Sequence, residues 1–224
     1  MQDKVIVITG AAGVLGSAVI AALAAKGAIT IGVDVGEIAD GAAEMRLSGV
    51  DMANPEAATQ TFCQVKKRYG RLDGLVNVAG TFRWETIADG DVATWDLLYR
   101  VNLRTALSAC QAALVTFADS ELAIVNVGAA AASSAGIGMG AYAASKAGVA
   151  KLTESLAQEG KKRGVRVNAV LPTIIDTPAN RIDMPDAEFD DWVAPAALAN
   201  VIAFLLSEDS SAVTGALIPV TGRM

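Results

Sequence analysis

The sequence predicts an α/β domain built as a doubly wound parallel sheet of about seven strands, with helices on both faces. Three observations carry this expectation. Short runs rich in Val and Ile alternate with longer Ala-rich stretches along the whole chain. The short runs are apolar at successive positions, as strands buried on both faces are. Most are separated by a stretch long enough for a right-handed helical crossover.

The elements follow in order. VIVIT at 5–9 is the first strand, and the glycine-bearing turn after it opens a helix over 13–26. The apolar run 29–34 is the second strand, and a short third strand falls near 44–47. A helix over 55–69 leads to a strand at 75–78. Helix 95–119, strand 123–127, helix 141–163, strand 166–171, helix 194–206 and strand 216–220 complete the alternation. No linker, repeat or low-complexity block interrupts it, so one domain over 1–224 is expected.

Composition removes several functions. Hydrophobic residues make up 53% of the 224, with only 5% aromatics, which suits close helix–sheet packing. The net charge of −6 argues against a nucleic-acid partner, which would require a basic face. The uncharged stretch 122–145 is long enough to span a bilayer, but four glycines and Asn126 interrupt it, so no membrane partner is expected. MQDKVIVITG carries no basic segment before a long apolar run, so no secretory leader is expected and a cytoplasmic location is. Cys63 and Cys110 lack ligand-like spacing and read as buried small hydrophobes. Histidine is absent, which excludes Ser-His-Asp and Cys-His mechanisms and most zinc sites; no metal is expected. Proton transfer must come from Tyr, Lys or carboxylates.

In a doubly wound sheet, ligands lie beyond the carboxyl ends of the strands. The first strand ends in Thr9-Gly10-Ala11-Ala12-Gly13-Val14-Leu15-Gly16. Glycines at this spacing admit a pyrophosphate to bare backbone, and the following helix offers unpaired N–H groups and a positive dipole end. Asp34 closes the second strand, 18 residues after Gly16, where a carboxylate accepts hydrogen bonds from an adenosine ribose. It would repel a 2′-phosphate, and no Arg or Lys lies in the glycine loop or directly after it. NAD(H) is therefore expected over NADP(H). Asp51 is a candidate adenine contact. Tyr142 and Lys146 are four residues apart and share one helix face. A nearby ammonium should lower the phenol's pKa and make the pair a proton donor and acceptor.

Together these segments resemble the short-chain dehydrogenase/reductase family over essentially the whole chain. The glycine loop is similar to its TGxxxGxG, Asn77-Val78-Ala79-Gly80 to its NNAG, and Tyr142 with Lys146 to its YxxxK. Asn102 sits where the family places the Asn of its proton relay. Val167-Asn168-Ala169-Val170-Leu171-Pro172 is similar to the segment before its Pro-Gly, and Thr177 falls where a Thr commonly binds the nicotinamide amide. The resemblance implies a Rossmann-type fold, hydride transfer to or from a small molecule, and cofactor contacts at Pro172, Ile175 and Thr177. It also implies homodimers or homotetramers packed partly through the two long central helices.

Two departures stand out. The family's catalytic Ser lies thirteen residues before the Tyr, and here that position is Ala129. Ser133 and Ser134 are nearby in a different register. Thr173 replaces the Gly after Pro172. PTIIDTPANRIDMPDAEFDDW at 172–192 resembles the matching loop of the dihydropteridine reductases, which also carry Ala in place of that Ser and use NADH. The resemblance implies a pterin-like or quinonoid substrate, whose electron-poor ring needs less activation than a ketone. Asp176, Asn180, Arg181 and Trp192 read equally as a loop closing over the cofactor and as substrate contacts. Trp84 reads equally as a platform for a flat substrate and as a half-buried core ring. A general ketone reductase or alcohol dehydrogenase is the alternative, and a non-catalytic NAD(H)-binding sensor is the alternative of another class.

Overall fold

The computed structural model describes residues 1–223. All seven strands form one parallel sheet, in the order β3-β2-β1-β4-β5-β6-β7. They are β1 (Val5–Thr9), β2 (Ile29–Val33), β3 (Met45–Leu47), β4 (Gly74–Asn77), β5 (Ala123–Val127), β6 (Arg166–Pro172) and β7 (Leu217–Val220). The order reverses between β1 and β4, and Thr9 pairs with Asn77 at that point. This is the crevice where such sheets take ligands.

The helices are α1 (Val14–Ala24), α2 (Pro55–Tyr69), α3 (Val92–Leu98), α4 (Thr105–Thr116), α5 (Gly140–Gly160), α6 (Pro178–Asp183) and α7 (Pro195–Leu206). One apolar cluster packs α1 and α7 against the sheet through Leu15, Val19, Ile20, Leu198 and Ile202. The other packs α2, α4 and α5 on the opposite face through Phe62, Val65, Ala109, Ala113 and Ala157. Phe62 is fully buried, and such a side chain contributes roughly 3 kcal/mol of transfer free energy. The small side chains on α4 and α5 allow close approach to the strands. Arg166 at the start of β6 donates to the carbonyls of Leu205, Ser207 and Ser210, satisfying the chain end of α7.

One long element departs from expectation. The single helix expected over 95–119 is three segments, α3, a π-helical turn over Tyr99–Arg104, and α4. It starts earlier because Asp91 caps it, accepting from the Ala93 N–H at 2.9 Å. It widens where Asn102 turns its amide inward onto neighbouring segments. Helix α6, which the sequence reading did not anticipate, is capped by Thr177 and opened by Pro178. No helix among the described residues is long and apolar enough to cross a membrane. Cys110 is buried as expected, and burial pushes its thiol up to about 12, so it is inert; Cys63 is exposed instead.

Candidate active site

A single cavity of about 1510 Å³ runs along the carboxyl ends of the strands. It exceeds the ~300–1,000 Å³ usual for one small molecule, so a dinucleotide and a substrate fit together. At one end it is lined by Asp34 and Asp51, in the middle by the glycine loop, and at the other end by Tyr142 and Lys146.

The glycine loop is shaped by contacts no other residue allows. Gly10 has φ +68°, and a Cβ there would stand 2.7 Å from the Ala79 nitrogen, so the turn lies flat on the chain leaving β4. A Cβ on Gly16 would stand 2.0 Å from the Gly10 oxygen, so α1 is pressed onto the same turn. Gly13 has open space beyond 3.4 Å. It precedes α1, whose first turn has neither a side-chain cap nor an acidic residue. That end is free to receive an anion, which fits the diphosphate of a dinucleotide. Ala12, Val14, Leu15, Ala79 and Gly80 complete this wall.

Asp34 is fixed on both oxygens. Its carboxylate accepts from the N–H of Ala12 at 2.9 Å and of Gly36 at 2.8 Å. This holds the carboxylate in place beside the glycine loop. Asp51 accepts from the Ala53 N–H at 2.9 Å and pairs with Arg100.

At the other end, the Lys146 ammonium donates to the Val127 carbonyl at 2.8 Å and lies 6.0 Å from the centre of the Tyr142 ring. Burial pulls Lys146 down to about 8 and pushes the Tyr142 phenol up to about 12. The expected acidification of the phenol by its neighbour is thus not seen. Desolvation penalises phenolate and ammonium alike, and it is the cause of both shifts. At pH 7 the pair rests as a neutral phenol beside a charged amine, the state a proton donor requires. Phe82 meets Tyr142 edge to face, with ring centroids 5.0 Å apart.

Asn102 is buried behind this wall. Its Oδ1 accepts from the Thr81 N–H at 2.7 Å, and its Nδ2 donates to the Thr81 carbonyl at 3.0 Å and to Ser145 Oγ at 2.9 Å. A Cβ on Gly80 would lie 3.0 Å from Asn102 Oδ1 and 3.3 Å from Lys146 Nζ, so these groups converge closely on Gly80 and a larger residue there would press on them.

Pro172, Ile175, Thr177 and Asn180 all reach the cavity. Asn180 donates to the Ile175 carbonyl at 2.8 Å, bracing α6 over the opening. Ala129 also lines it and carries no hydroxyl; Ser134 reaches the wall and Ser133 does not. Trp84 lines the cavity and lies over Gly138, where a Cβ would come within 2.2 Å of the indole. Two expected site residues stand elsewhere. Asn77 is buried off the cavity, donating to Asn126 Oδ1 at 2.8 Å and to the Cys110 sulfur, so it ties β4 to β5 and α4. Trp192 is 6% exposed and packs on Phe189 at 4.9 Å, beneath the loop. Asp176 and Arg181 form a two-point ion pair that braces the same loop. The sequence reading missed Arg100 and Phe82; their nearness to Asn102 and Gly80 was the available signal.

Residues 4–187 match the family model described as short chain dehydrogenase. The chain belongs to the short-chain dehydrogenase family. Among its relatives, the (3R)-3-hydroxyacyl-CoA dehydrogenase of Rattus norvegicus is 32% identical, with 100% of this chain and 97% of that protein covered. The 3-oxoacyl-[acyl-carrier-protein] reductase FabG of Thermotoga maritima is 30% identical over 100% of this chain and 98% of its own. The ligand-free aldohexose dehydrogenase of Thermoplasma acidophilum superposes with a TM-score of 0.89 at 27% identity, covering 99% of this chain and 93% of that one. As a short-chain dehydrogenase, this protein is an oxidoreductase that uses a nicotinamide dinucleotide on a small molecule.

Proposed function

We propose that this short-chain dehydrogenase is an NADH-dependent reductase of a flat, conjugated, pterin-like or quinonoid ring. The observation that carries the reading is Ala129, which puts a methyl group on the cavity wall where an isolated carbonyl would need a hydroxyl to polarise it. A ring already electron-poor needs no such donor. Phe82, Trp84, Met139 and Met184 give that end of the cavity broad apolar surfaces suited to a flat molecule. The fixed Asp34 carboxylate supports NADH over NADPH.

When bound, the dinucleotide supplies a hydride to a carbon of the ring. Tyr142 gives its phenolic proton to the ring heteroatom that gains the electron pair. Lys146 stabilises the phenolate left behind and holds the nicotinamide ribose. Asn102, with its side chain committed to Thr81 and Ser145 in the widened turn, would position a relay water. Pro172, Ile175 and Thr177 hold the nicotinamide end, and the glycine loop the diphosphate. We further propose a cytoplasmic homodimer or homotetramer; Val92, Trp95, Leu107 and Val115 leave apolar surface exposed along α3 and α4.

The test is NADH oxidation, followed at 340 nm, with quinonoid dihydropterin and with simple ketones. Faster turnover of the dihydropterin, and of NADH over NADPH, supports the reading. Good ketone turnover with none of the dihydropterin rejects it in favour of a second reading, a carbonyl reductase or alcohol dehydrogenase. The hydroxyacyl and oxoacyl chemistry named for the rat and Thermotoga relatives favours that second reading.

A further inference from the structure

Arg100 has no place in the proton relay, yet its side chain is fixed at the adenosine end of the cavity. It comes from the π-helical turn, where its carbonyl accepts from the Thr105 hydroxyl at 3.3 Å. Two residues on, Asn102 locks the same turn to Thr81 and Ser145. Arg100 therefore reaches across from a rigid base. Its guanidinium pairs with Oδ2 of Asp51, whose Oδ1 already accepts from the Ala53 N–H at 2.9 Å. Both residues line the cavity.

The consequence lies in how a half-exposed aspartate behaves. Alone on the loop after β3, the Asp51 carboxylate would turn freely into water, and ordering it would oppose binding. One N–H and one guanidinium set its plane, while each oxygen keeps a lone-pair direction unused. The carboxylate so held offers only acceptors to what lies in front of it. A base with an exocyclic amine donates to it; a base with a carbonyl there brings acceptor against acceptor.

We propose that Arg100 is a positioning residue for the dinucleotide, holding Asp51 so that the adenosine end of the cavity selects an aminopurine over an oxopurine. This rests on the cofactor placement given above. The pair is exposed, and exposed ion pairs contribute at most about 1 kcal/mol, so the effect is about threefold to fivefold in affinity.

The experiment compares NADH with its deamino analogue, in which hypoxanthine replaces adenine, by fluorescence titration of wild type, Arg100→Met, Asp51→Asn and the double variant. Arg100→Lys and melting temperatures accompany them as a check on folding. Wild type should prefer NADH. Arg100→Met should weaken NADH about threefold to fivefold, change the analogue less, and add nothing to Asp51→Asn. Unchanged NADH affinity in Arg100→Met, or equal weakening of both dinucleotides, overturns the proposal. If wild type binds neither dinucleotide, the cofactor placement itself falls, and this inference falls with it.

Discussion

Replacing Ala129 by Ser should convert the protein toward ketone chemistry. Residue 129 follows β5 in extended conformation, with φ −161° and ψ 153°, which serine adopts as readily as alanine. The preceding Gly128 is held by its N–H to the Val170 carbonyl at 2.9 Å, and a Cβ there would meet Leu171 at 2.4 Å. That packing against β6 fixes the direction in which the side chain at 129 enters the cavity. The added hydroxyl faces the space lined by Tyr142. A donor aimed at developing negative charge contributes about 3 kcal/mol to the transition state, or roughly a hundredfold in rate. Turnover of a ketone panel at saturating NADH should therefore rise by about two orders of magnitude. Reduction of quinonoid dihydropterin should change by less than about threefold, since its ring needs no such donor. Ketone turnover that stays within about threefold of wild type would refute this reasoning, and so would an equal gain on both substrates.

Other outcomes follow from the same geometry. Burial holds Lys146 near 8, so it is an ammonium below that pH and a free amine above it. Reductive kcat/KM should fall as pH rises through about 8, and a pH–rate profile of Lys146→Met should lose that limb along with most of the activity. Gly16→Ala forces a methyl group to 2.0 Å from the Gly10 oxygen. NADH affinity should drop by about tenfold or more by calorimetry, because the turn must open. Trp192→Ala removes a buried ring and should cost about 3–5 kcal/mol, lowering the melting temperature by roughly 6–20 °C. A change of a degree or two would place the ring at the surface.

The strands were legible because their apolar runs are continuous; β1 and β5 coincide with the expected residues. The π-helical turn was not, because its cause is a side chain, Asn102, bonding to segments distant in sequence. Helix periodicity alone cannot reveal such a bond. The glycine loop was legible for a local reason: Gly10 and Gly16 have no room for a Cβ. The Asn77 motif marks the right segment, but Asn77 is the last residue of β4 and its side chain is bonded into the core, while Val78, Ala79 and Gly80, just beyond the strand, line the cavity. For Trp192 the sequence left two readings level, and its packing on Phe189 beneath the loop favours the structural one. The ionisation of Tyr142 needed burial as well as neighbours, and burial is not written in a four-residue spacing.

Whether the Tyr142 phenol is the proton source decides the rest. Rapid mixing of NADH and quinonoid dihydropterin with Tyr142→Phe reads this directly, with NADH affinity measured on the same sample. The variant should bind NADH within about fivefold of wild type and oxidise it about 10²–10⁴-fold more slowly. Wild-type oxidation rates in Tyr142→Phe would show that the proton comes from elsewhere, and the assignment of this wall as the active site would not survive.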